Sequence, residues 1–180
     1  MSGPMAMTAA RTVSDLFYLA LVVWREARGT SYAAQLAVAN SVLNRVARPS
    51  WWGSSIDDVI TKRFQYSSMT APGDRQLTTY PKLSDTSWLV ALGVAYDALY
   101  AKPSLPIAFP GADSYYDDSI KDHPPNWAVP GTYVGSIDGL NFYDVDRDHE
   151  AETMVASANL SGISTDFEKK LDAFLKGEPI

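Results

Sequence analysis

WREARGTSYAAQLAVANSVLNRVAR, residues 24–48, sets a single acid, Glu26, at a break between two helical patterns, and its reading decides the fold. Upstream, Leu16, Leu19, Ala20, Val23 and Ala27 recur at the i, i+3, i+4, i+7, i+11 spacing that gathers apolar side chains on one face of a helix. Gly29 is expected to stop that helix, because glycine tolerates the positive φ of a helix end. Thr30 or Ser31 then caps a second helix, whose Leu36, Ala39, Val42, Leu43 and Val46 point inward. Two helices therefore meet at a corner beside Glu26. Val22 and Val23 lie one turn back, so a carboxylate there would be partly desolvated, a setting that favours the protonated form a general acid needs. Arg25 and Arg28 flank it, however, and a glutamate so placed more commonly ends in a solvated surface ion pair.

Further motifs follow in order. Glu26-Ala27-Arg28-Gly29 leads to Gln35-Leu36-Ala37-Val38-Ala39-Asn40 and Leu43-Asn44-Arg45-Val46. Beyond these come Phe64-Gln65-Tyr66-Ser67, a helical stretch, Gly111-Ala112 ahead of Tyr115-Tyr116, then Trp127 and Phe142-Tyr143. In this order and spacing, over about residues 16–143, the chain resembles the cell wall hydrolases typified by the spore cortex-lytic enzyme (SleB type). The resemblance implies an α+β fold, a mostly helical lysozyme-like domain with a small β lobe, and a lytic transglycosylase cutting peptidoglycan glycan strands. It puts the catalytic glutamate at Glu26. It also makes Gln65, Tyr66, Ser67, Tyr115, Tyr116, Asn126 and Trp127 substrate-binding residues. Gln65 offers the donor and acceptor that read an acetamido group. Rings with polar tips pair an apolar face with a hydrogen bond, which suits sugars, although aromatics also simply pack thin sheets. The chain departs from the family pattern at Leu140, where a histidine is expected before the Phe-Tyr pair.

Composition narrows the alternatives. The 180 residues fit one domain able to bury a sizeable core, and 46% hydrophobic with 20% charged residues is ordinary for a soluble globule. A net charge of −6 gives no basic footprint for nucleic acid. Cysteine is absent, which excludes disulfides and thiolate metal sites. His123 and His149 lie far apart in loops, so neither a metal site nor a Ser-His-Asp triad is expected, and no cofactor is implied. Residues 16–24 have the length of a signal-peptide core but run straight into Arg25 and Glu26 without a small-residue cleavage site, and no stretch is long enough to cross a membrane. A wall-degrading chain of this kind reads as a bacteriophage endolysin waiting in the host cytoplasm for pore-dependent release, or as a virion-associated lysin.

The remaining chain reads as scaffold. Residues 1–13 are expected to be a flexible tail, 14–143 the catalytic domain and 144–180 an extension. Trp51-Trp52 is expected to plug the core, and Ser55-Ile56-Asp57-Asp58 to open a short helix running to about Lys62. Residues 69–82, rich in Thr, Pro and Gly, suit one lip of a cleft. Trp88, Leu92, Ala95 and Leu99 continue a buried helical stripe. Proline at 103, 106 and 110 forbids regular helix there. Residues 108–143, with short apolar runs at 132–134 and 141–143, read as a hairpin or irregular sheet. Asp144, Asp146 and Asp148 alternate as in a calcium loop, but His149 and Val155 stand where its glycine and glutamate belong, so a solvated acidic turn is expected. In the extension, Thr165 and Glu168 form a capping box, and Phe167, Leu171, Phe174 and Leu175 give a face for docking on the domain or on a partner.

Ordinary glycosidases use two carboxylates, and only Glu26 stands in a motif. One acid suffices if the C6 hydroxyl of N-acetylmuramic acid attacks C1 of its own sugar, because an intramolecular nucleophile has a high effective molarity. The competing readings are a muramidase in which Asp113, Asp117 or Asp118 activates water, and a glycan-binding virion module without turnover.

Overall fold

The computed structural model describes residues 11–49, 52–100 and 108–146. Within them the chain forms helices α1 (Val13–Ala27), α2 (Tyr32–Ala47), α3 (Ile56–Thr61), α4 (Ser67–Thr70) and α5 (Thr86–Tyr100), then strands β1 (Ser114–Asp117), β2 (Tyr133–Ile137) and β3 (Leu140–Tyr143). It is an α+β fold with a small antiparallel sheet beside a helical body. The ten N-terminal residues, Trp51, the segment 101–107 and the C-terminal helix expected after Thr165 lie outside the described residues.

α1 starts where its cap dictates. The Thr12 hydroxyl accepts from the Asp15 amide at 3.1 Å while the Asp15 carboxylate accepts from the Thr12 amide at 2.7 Å, a reciprocal capping box. Helix thus begins within the stretch expected to be tail. The expected stripe of Leu16, Leu19, Ala20, Val23 and Ala27 is buried, and removing each leucine from water contributes about 2 kcal/mol. α2 is capped by Ser31 and buried nearly all round, so α1, α3 and α5 all pack against it. Trp88, Leu92, Ala95 and Leu99 of α5 close the core, and Trp52 plugs its end.

The sheet has the order β1-β3-β2. A two-residue turn, Asp138-Gly139, joins β2 to β3 with φ of 51° and 79°, the left-handed pair that matches strand twist in a tight hairpin. Tyr115 lies opposite Phe142, and Asp117 and Ile137 lie opposite Leu140. Phe142 and Leu140 are buried toward the helices, so this face is the inner one. Side chains alternate along a strand, and Tyr116, Asn141 and Tyr143 therefore belong to the outer face. Leu140, at the expected histidine position, is 4% exposed and serves as core.

Two expectations are corrected. Gly29 is not in the left-handed region. α1 ends instead because Thr30 folds back on it, its amide and hydroxyl both donating to the Ala27 carbonyl at 2.9 and 2.8 Å. Nor are residues 144–146 a solvated acidic turn. Arg48 pairs with Asp144 at 2.7 Å, the Trp52 indole donates to Asp146 at 3.1 Å, and the amides of Val145 and Asp146 donate to buried Asp113. A buried cation and a buried indole needed partners, and these acids supply them.

Candidate active site

Glu26 sits half-buried in the last turn of α1, where that helix meets α2. The surface ion pair is not formed. Arg25 is 6% exposed and turns away, its guanidinium donating to the carbonyls of Ser68, Leu77 and Thr79 at 2.9–3.1 Å. Arg28 lies over the Trp24 ring and donates to the Gln76 side chain. Each carboxylate oxygen of Glu26 instead takes a hydroxyl. Ser68 Oγ donates to Oε1, and Tyr115 Oη donates to Oε2 at 3.0 Å. These hydroxyls arrive from α4 and β1, so the acid is clasped between the helical body and the β lobe.

Tyr115 is well suited to this contact. Burial, and then the charge of Glu26, push its phenol well above the ordinary tyrosine range, so it remains a neutral donor. Its ring packs on Phe142 at 5.4 Å, which fixes the hydroxyl. Ser68 is 3% exposed and held through its own carbonyl by Arg25. The arginine next to Glu26 in sequence thereby positions the serine that touches Glu26 in space.

The other expected site residues separate into groups. Gln65 Oε1 accepts from Arg45 Nη1 at 3.0 Å, which orients its amide nitrogen outward from that contact. Tyr66 is 2% exposed beneath the Arg45 guanidinium, so it is wall rather than contact surface. Ser67 is exposed at the start of α4, and it is its neighbour Ser68 that reaches the acid. Tyr116 and Trp127 do not face Glu26. They cluster with Tyr133 and Tyr143 on the outer face, with ring centroids 5.3–6.3 Å apart, and Asn126 is exposed beside them. Within this cluster, burial and the Tyr116 hydroxyl push the Tyr143 phenol up to about 12.

The acids named as alternative bases are engaged elsewhere. Asp113 is fully buried and accepts from Arg48 at 3.4 Å and from two backbone amides. Asp117 caps the turn that follows β1, accepting from the Ser119 amide at 2.8 Å, and Asp118 accepts from Asn141 at 2.7 Å. Among the described residues no group of three or more His, Cys, Asp or Glu is placed to hold a metal, and no helix is long and apolar enough to cross a membrane.

Ser68 ends the Phe64–Ser68 candidate stretch but carries no role in the sequence reading, because a lone serine in a four-residue helix gives no periodic signal. The buried arginines 25, 45 and 48 were missed because arginine in an amphipathic pattern reads as surface.

No curated protein and no solved structure matches the chain. The model of the cell wall hydrolase family matches residues 29–143, well over half of the chain, starting three residues after Glu26. With that match added to the SleB-type motifs, the chain belongs to the cell wall hydrolase family, whose substrate is peptidoglycan.

Proposed function

We propose that the chain is a lytic transglycosylase that cleaves the MurNAc-β-1,4-GlcNAc bond of peptidoglycan with Glu26 as its only catalytic carboxylate. The observation that carries this reading is the environment of Glu26. Two hydroxyl donors hold its oxygens, both flanking arginines are occupied elsewhere, and among the described residues no second acid shares a hydrogen bond with it. Protonated Glu26 gives its proton to the glycosidic oxygen as the GlcNAc side leaves. The carboxylate so formed takes the proton from the C6 hydroxyl of the muramic acid, whose oxygen closes on C1. The products are a free GlcNAc hydroxyl and a 1,6-anhydro end, and Glu26 is protonated again. Ser68 and Tyr115 stabilise the carboxylate during the interval when it is charged, the point at which fixed donors are most effective.

The test is mass spectrometry of fragments released from purified peptidoglycan by wild type and by Glu26→Gln. Anhydromuramyl ends made by wild type, with release reduced by about 10²-fold or more in the variant, are expected. Reducing ends would replace this reading with water attack. Asp117, which shares the sheet face of Tyr115, would then be the first base to examine.

A further inference from the structure

Phe64 and Tyr80 are the two most exposed large aromatics among the described residues, at 77% and 70%. A scattered exposed ring calls for no explanation, but each of these is held in place, and Phe64 at some cost. Phe64 adopts φ of 68°, a region that bulky residues avoid. Such strain persists only where the surroundings fix it, and here they do. The next residue closes a turn through its amide onto the Lys62 carbonyl at 3.1 Å, and its side chain is gripped by buried Arg45. The Arg63 guanidinium lies 4.5 Å from the Phe64 ring centroid, and the remaining face is open.

Tyr80 is fixed in a parallel way. It follows Thr79, whose carbonyl is bound by Arg25, and the same guanidinium lies 5.2 Å from its ring centroid. Arg25 also holds the carbonyl of Ser68, whose hydroxyl reaches Glu26. Tyr80 thus stands on the arginine that holds Ser68 against the acid, and Phe64 directly precedes the glutamine that Arg45 holds.

We propose that Phe64 and Tyr80 are stacking platforms for pyranose rings of the glycan strand that Glu26 cleaves. An open aromatic face beside polar side chains fits the C–H face of a sugar, with the hydroxyl rim left to Gln65 and Ser67. The strain at Phe64 buys a ring that projects from the wall instead of folding into it. This inference rests on the reading of the substrate as a glycan, and it adds subsites that span several sugars.

The test measures binding of peptide-stripped glycan strands to the Glu26→Gln chain, alone and with Phe64→Gly, Phe64→Tyr or Tyr80→Ala, alongside Tm and self-association. Phe64→Gly and Tyr80→Ala are each expected to weaken binding roughly three- to tenfold, the size of an aromatic stacking contact. Phe64→Tyr should retain binding. Phe64→Gly should keep or raise Tm, because glycine accepts the left-handed backbone. Wild-type affinity in both truncations overturns the proposal while leaving the catalytic reading intact. A fall in Tm that tracks the loss of binding overturns it by making the ring structural. Unchanged glycan binding with lost self-association would assign the rings to a second copy of the chain. If the parent chain neither cleaves nor binds glycan, the functional reading fails and this one with it.

Discussion

At Glu26 the two cations beside it in sequence are occupied elsewhere. Arg25 and Arg28 bind carbonyls and an amide side chain, so the carboxylate is left to two neutral hydroxyls. Those hydroxyls are open to direct test. Tyr115→Phe keeps the ring on Phe142 and removes only the donor to Oε2. A hydrogen bond to a charged group is worth about 1.5–3 kcal/mol, and under the proposed mechanism the charge on Glu26 changes during bond cleavage rather than on substrate binding. kcat on peptidoglycan is therefore expected to fall by roughly tenfold or more with KM little changed. Initial-rate measurements across substrate concentration check this, and a rise in KM with constant kcat would recast Tyr115 as a substrate contact. Ser68→Ala should behave in the same way through Oε1.

The elements differ in how far they could be read from the sequence, and the reasons are physical. α1, α2 and α5 carry long 3.6-residue patterns, so their core faces were legible from Leu16 to Leu99. The hairpin was legible from its short apolar runs. β1 was not, because its four residues pair with β3, more than twenty positions later, and nothing local marks that partner. This also explains why Tyr115 and Tyr116 do not share the site. Adjacent residues of a strand point to opposite faces, and once 114–117 is a strand only one of the pair can reach Glu26. The segment between α3 and α5 was legible as a loop-rich stretch, but its anchor was not, since a buried Arg25 gripping three carbonyls leaves no periodic trace. Arg25→Lys should expose that dependence, because a single ammonium cannot reproduce the planar fork. Faster amide exchange confined to residues 67–80, with the helical core unchanged, is the expected result. In the β lobe, a Cβ added at Gly135 would lie 2.4 Å from the Phe109 ring, which is itself stacked on Phe142, and φ there is 150°. Gly135→Ala should cost about 1–3 kcal/mol by denaturant titration.

At the scale of the molecule, the β lobe is clasped to both ends of the central helix α2, about 24 Å long at its 16 residues. At the C-terminal end, Asn44, Arg45 and Arg48 hold the Ala112 carbonyl, the Asp113 carbonyl and the Asp113 and Asp144 carboxylates. At the N-terminal end, the Ser31 amide donates to the Asp138 carboxylate of the hairpin turn at 2.7 Å. Because Tyr115 reaches Glu26 from this lobe, either clasp bears on the site. The N-terminal clasp responds to pH. Hydrogen bonds from the side chain and amide of Ser31 hold the Asp138 carboxyl below the ordinary aspartate value of 3.8. A carboxyl whose folded pKa is depressed stabilises the fold above its unfolded pKa, and that contribution is lost as pH falls through the folded value. Asp138→Asn keeps a residue tolerant of the left-handed turn and removes the charge. At neutral pH the variant should melt below wild type, and the gap should close as the pH drops below 3.8. Added salt should narrow it as well, since the group is exposed. Parallel thermal melts from pH 7 to acid check the prediction. A gap that persists at low pH would mean that the turn's shape, rather than its charge, fastens the hairpin to α2.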